Sequence, residues 1–244
     1  MHMLSSMISE TTLLISTAAL LPAAAYGAKG TKTKPNFSAA DSGLKTAKNE
    51  KLLKIISLGL FVFAMQMLNF SIAPVNFSGH IVGAILLCMI IGRAPAFFTM
   101  SGILAVQCIF FGDGGLTALP CNIFNMAVLP CFLIMPIADK FVKNNSAKAF
   151  LASVVSLEIG ALLVTVESFE VQYMSQMLLV HLPIGIVEGI LTAALVYAFK
   201  TIGEKRLSYA GQNAVVTSAA AIVVAISIFF ASGKTDGMEY VFGL

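Results

Sequence analysis

The chain has 244 residues, 58% of them hydrophobic and 11% charged, with a formal net charge of +3 and a mean hydropathy of +0.89. So few charges cannot coat a globule of this size, which excludes a water-soluble enzyme, a secreted module and a disordered chain. The balance is that of an all-α, polytopic helical membrane protein.

A membrane span needs about 20 mainly apolar residues, and eight stretches approach that pattern: 12–28, 53–72, 80–91, 96–111, 116–137, 147–166, 171–199 and 213–231. The first has seven lysines after it and none before it, the reverse of a cleaved signal peptide, so it is expected to be retained with its N-terminus outside. Residues 29–54 are polar, basic and without periodicity, and read as a flexible cytoplasmic loop. The third stretch is short, and both a full crossing and a half-span stay open for it. Fourteen of the fifteen Lys and Arg residues fall in alternate loops, leaving Lys234 on the other side. Because basic loops stay in the cytoplasm, this predicts seven to eight transmembrane helices with the N-terminus and C-terminus outside. Cys88, Cys108, Cys121 and Cys131 form no CxxC pair and read as buried small residues.

The three histidines, His2, His80 and His181, all fall on or toward the outer side. His2 is bulky enough to prevent removal of Met1, so the chain is expected to begin with a free amine. That amine, the deprotonated backbone nitrogen of His2 and its imidazole can form fused chelate rings around one cation. A fourth nitrogen would complete a square plane, the geometry that suits Ni(II) or Cu(II). His80 is the best candidate, following Ser78, a candidate helix N-cap, and Gly79, which permits close approach of another backbone. The competing reading makes His2 an untethered terminal residue and His80 an interfacial one.

After the fourth stretch come Gly112, Gly114 and Gly115, which permit a tight outer turn, then Asn122 and Asn125 on one helix face. The pair reads either as a secondary pathway or gate, or as helix packing. His181 and Glu188 lie two turns apart in the seventh stretch, and Glu158 lies in the sixth. Ionisable groups at such depth act in transport or pair structurally, and both readings stay open. There is no Walker motif and no nucleophile-and-base constellation, so the chain is not expected to be an enzyme or to bind nucleic acid.

Met1-His2-Met3, the stretch 69–80 ending Ser78-Gly79-His80, FGDGGLTALPCNIFNM at 111–126 and HLPIGIVEGILT at 181–192 resemble the CbiM/NikM family. Members are the metal-binding membrane components of energy-coupling factor (ECF) transporters for cobalt and nickel. The resemblance covers about residues 1–200, within an expected metal-binding membrane domain 1–206, and implies the plasma membrane of a prokaryote and Met1, His2 and His80 as metal ligands. It also implies a transmembrane coupling (T) subunit and cytoplasmic ATPase subunits as partners, with membrane lipid around them. No permanently bound cofactor is implied; Ni(II) or Co(II) is cargo. Thr235-Asp236-Gly237-Met238-Glu239 resembles the signature of a small auxiliary membrane component, so 207–244 reads as an additional transmembrane helix with that tail. Leu4-Ser5-Ser6 and Pro120 depart from the family pattern. The rival function is a proton-coupled or passive carrier for divalent transition metals that uses His181, Glu188 and Glu158.

Overall fold

The computed structural model describes residues 2–30, 44–71, 78–204 and 236–243, with Gly211, Val215, Val216, Ser218, Ala219 and Ile222 between the last two stretches. Met1 lies outside the described residues, as does the eighth expected span apart from those isolated positions.

Ser9 opens helix α1 (Glu10–Ala28), its side chain accepting from Thr12 N. Helix α2 (Leu44–Gln66) leads into a two-residue antiparallel ladder of β1 (Phe70–Ser71) with β2 (Ser78–Gly79). Helix α3 (Ala84–Ile91) follows, then α4 (Arg93–Val106), which widens into a π-helical turn at Gln107–Phe111. A glycine turn leads to α5 (Leu119–Ile123), a π-helical stretch Phe124–Ile134 and α6 (Met135–Phe141), together one rod. Pro130 sits inside that stretch, where its missing N–H disrupts regular α bonding. Helices α7 (Asn145–Glu167) and α8 (Met174–Glu204) form the most extensive pair, and α9 (Gly237–Phe242) closes the tail behind an Asp236–Glu239 capping box.

Among the described residues five rods are long and apolar enough to cross a membrane: Glu10–Ala28, Arg93–Phe111, Leu119–Phe141, Asn145–Glu167 and Val171–Thr201. Their outward residues include Leu14, Leu21, Phe110 and Leu179, each at least 70% exposed, as a lipid-facing surface requires.

One expectation changes, and one of two open alternatives is favoured. Helix α2 begins at Leu44, so the second half of the supposed loop 29–54 is helical. Lysine is itself a good helix former, so a basic run does not by its composition oppose a helix. The third stretch is a half-span. At 1.5 Å per residue the eight residues of α3 rise about 12 Å, against a hydrocarbon core of about 30 Å. Gly83 and Gly92, at φ 76° and 87°, end it on both sides. Every residue of α3 is buried, enclosed by α2, α4, α7, α8 and the rod that contains Pro130. This short apolar helix is the centre of the core.

Candidate metal site

The chain before α1 is not an untethered tail. Met3 is fully buried and His2 is 7% exposed, because Asn122 grips the peptide between helices. Met3 N donates to Asn122 Oδ1 at 2.7 Å, and Asn122 Nδ2 donates to the Met3 carbonyl at 3.2 Å. A carboxamide thus pairs with both polar groups of one residue, as a neighbouring strand would. The turn before α5 makes room for it. Gly114 has φ 84°, and a Cβ there would stand 2.5 Å from Asn122 Nδ2 and 3.0 Å from the Met3 carbonyl. The expected tight turn is present, with Gly112, Gly114 and Gly115 all at positive φ. Pro120 sits in the first turn of α5, where a missing N–H costs nothing.

Asn125, one turn on, donates to Glu167 Oε2 at 2.7 Å and lies 3.9 Å from Met3 Sδ. The Glu167 carbonyl in turn accepts from Thr12 Oγ1 at 2.8 Å, which ties α1 to the end of α7. The two asparagines therefore hold the N-terminal segment in place.

This insertion stacks His2 on His80, with ring centroids 5.2 Å apart and planes inclined by 21°. His80 Nδ1 faces the Ile81 carbonyl at 3.3 Å, which directs Nε2 toward the site. Each ring also has an acidic neighbour from a different segment. His2 Nδ1 is 3.2 Å from Asp113 Oδ2 in the glycine turn, and His80 Nε2 is 3.9 Å from Asp236 Oδ2 at the head of α9. Burial pushes both imidazoles down to about 3, and the positive charge of the amino terminus acts in the same direction. Burial alone would raise the Asp236 carboxyl, but the amino-terminal charge and His80 outweigh it and hold the group below the usual carboxylate range. At neutral pH the site therefore offers uncharged imidazole, the form that binds metal.

Among the described residues no three His, Cys, Asp or Glu side chains converge as a side-chain-only metal cluster. Sequence reasoning reached His2 and His80 but not the groups around them. Asp113 and Asp236 had a signal, since each adjoins a glycine in a turn-like run. Gln107, fully buried beside this site, had only its polarity within an apolar stretch.

Ser78 is not the cap of α3; it pairs with Ser71 in the ladder. Gly79 admits the side chain of Ile184, which a Cβ would approach to 2.7 Å, rather than another backbone. The start of α3 is capped from α8 instead: Glu188 accepts from Val82 N at 2.9 Å and from Gly83 N at 3.0 Å, one bond to each carboxylate oxygen. His181, buried on the same helix, has Nδ1 2.8 Å from the Met177 carbonyl. Both carboxylate oxygens of Glu188 are thus engaged by backbone rather than by His181. Glu188, Asn125, Ser153 and Ser156 border a small cavity with room for about one water.

The CbiM family model, described as a cobalt uptake substrate-specific transmembrane region, matches residues 2–206. The chain is similar to a putative fused nickel transport protein NikMN of Archaeoglobus fulgidus, 32% identical over 161 residues, 61% of this chain and 54% of that protein. It is similar to a putative metal transport protein of Haloquadratum walsbyi, 30% identical over 59% of this chain and 69% of that one. Its fold is similar to the crystal structure of a truncated transition metal transporter, with a TM-score of 0.62, 25% identity, and 81% of this chain and 97% of the other covered. The match spans about half the length of the Archaeoglobus relative, 54%.

Proposed function

We propose, from the premise that this chain belongs to the CbiM family of cobalt uptake substrate-specific transmembrane regions, that it is the metal-binding membrane component of an ATP-driven ECF importer for Ni(II) or Co(II). The observation that carries the reading is the insertion of residues 2–3 into the bundle, which stacks His2 against His80. Chain ends are ordinarily loose. Burying one this deeply, with both its polar backbone groups satisfied by Asn122, is warranted where the end itself does chemistry.

In this reading the terminal amine of Met1, the backbone nitrogen and Nδ1 of His2, and Nε2 of His80 bind the cargo in a square plane. Four nitrogens disfavour Mg(II) and Ca(II), which take oxygen ligands. Asp113 and Asp236 supply negative charge beside the site and offset the charge of a divalent ion. The metal enters at the end of the bundle where the termini lie, which is the extracellular side. It leaves inward when the N-terminal segment withdraws from Asn122, driven by a T subunit and ATPases. The segment 207–244 serves as an auxiliary element whose tail, α9, lies over the site.

The test is metal content and affinity of the purified full chain with an untagged N-terminus. About one Ni(II) or Co(II) per chain, lost in both His2→Ala and His80→Ala, is the expected result. Binding unchanged in both variants would sink the reading. A crosslink tying residues 1–10 to the bundle should block uptake while sparing binding; uptake that survives it removes the withdrawal step.

A further inference from the structure

A metal-bound histidine is held by its other ring nitrogen, which donates to a fixed acceptor and so sets the tautomer and ring orientation. For His2 the nitrogen that can chelate together with its own backbone nitrogen is Nδ1. The path from N through Cα, Cβ and Cγ to Nδ1 closes a six-membered ring with the metal. The outer nitrogen is then Nε2.

In the structure Nδ1 has a neighbour, Asp113 Oδ2 at 3.2 Å, whereas Nε2 is buried with no hydrogen-bond partner among the described residues. Gln107 is in the same condition. It is fully buried, and neither its amide oxygen nor its amide nitrogen has a partner there. Gln107 belongs to the same corner of the fold: its carbonyl accepts from Asp113 N at 3.2 Å, and Asp113 Oδ2 is 3.2 Å from His2 Nδ1. Buried polar atoms are rarely left unpaired, and three idle ones on two adjacent side chains call for an explanation. Gln107 also opens the π-helical turn Gln107–Phe111, a widening often found at functional sites.

We propose that Gln107 is the positioning residue of the metal site, its amide oxygen accepting the Nε2–H of His2 when the metal occupies Nδ1. The inference rests on the site described under the proposed function. Without metal the proton sits on Nδ1, where Asp113 receives it, and Nε2 presents a lone pair. Metal at Nδ1 displaces that proton to solvent and Nε2 takes one up, so the ring stays neutral. The idle acceptor on Gln107 then gains its donor. A contact that forms only in the loaded tautomer stabilises the loaded state and leaves the empty one unaffected.

Ni(II) titration of the full chain with its authentic N-terminus, combined with thermal unfolding of the metal-free protein, separates this from packing. Gln107→Met keeps the shape and removes the amide, so affinity should fall about 10- to 100-fold. The metal-free melting temperature should hold or rise, because two unpaired buried atoms are gone. Gln107→Glu retains an acceptor and should keep affinity within a few-fold of wild type. Unchanged affinity in Gln107→Met overturns the inference, as does a parallel loss of affinity and metal-free stability. Failure of Gln107→Glu to retain affinity with an unchanged metal-free melting temperature also overturns it. His2→Ala is the control: if it binds Ni(II) like wild type, the proposed site fails, whatever Gln107 does.

Discussion

Two segments enter this bundle without crossing it, the N-terminal stretch around residues 2–9 and helix α3, and they are held in different ways. The first is anchored by the neutral carboxamide of Asn122, and behind Met3 its residues are only partly buried or exposed. The second is capped by the Glu188 carboxylate through two backbone bonds, and all eight of its residues are buried. Both anchors make two hydrogen bonds, so the difference lies in burial, which along a whole helix adds apolar stabilisation. One insert is therefore held more firmly than the other. The difference teaches that depth of insertion does not set how firmly a segment is held; the apolar area behind its anchor does.

Four changes test that contrast. The largest effect is expected from Glu188→Ala, which leaves two buried N–H groups at the start of α3 without their acceptor and should cost about 2–4 kcal/mol. Detergent-solubilised protein should melt lower or fail to accumulate, with or without metal. Wild-type stability there would mean that α3 does not depend on its cap. Asn122→Ala should leave the metal-free melting point within a few degrees but weaken Ni(II) binding about tenfold, since the loss of roughly 1.4 kcal/mol falls on the N-terminal segment alone. A large drop in metal-free stability would make the two inserts alike.

Acidification gives a third, smaller effect. The folded-state pKa of His2 and of His80 is about 3, below the unfolded value of about 6.5. Between these values the unfolded chain binds more protons, so stability rises with pH in that window and is lost as pH falls from about 6.5 toward 3. Melting measured in steps across this range should decline in wild type and decline less in His2→Ala. Equal slopes would remove the buried neutral imidazole from the account. The smallest effect belongs to Thr12→Val, which breaks the bond from α1 to the Glu167 carbonyl and should cost about 0.5–1.5 kcal/mol. Amide hydrogen exchange near residues 9–13 should quicken while metal affinity stays the same.

Much of this was legible along the chain. Apolar length located the rods at 93–111, 119–141, 145–167 and 171–201 to within a few residues at most ends, and the glycines at 112, 114 and 115 announced the turn. The lysines near 45–54 misled, because a basic segment without apolar periodicity reads as loop although lysine itself favours helix. Asn122 and Asn125 stood out as polar residues on one face, yet nothing local showed that their partner was Met3, 119 residues away in sequence from Asn122. Glu188 and His181 looked like a relay because they share a helix face. Their actual partners are backbone groups, which sequence does not display.

The sequence by itself determined a helical membrane chain, the places where it turns, and the two histidines, His2 and His80, that the fold brings together. Those properties depend on solvent transfer and local backbone preference, which act over a few residues at a time. Only the tertiary structure decided that the N-terminus folds inward, that Asn122 grips it, that Glu188 caps α3 and that Gln107 stands idle beside His2. All but the last are pairings of buried polar groups far apart in sequence, fixed by the need to satisfy such groups away from water.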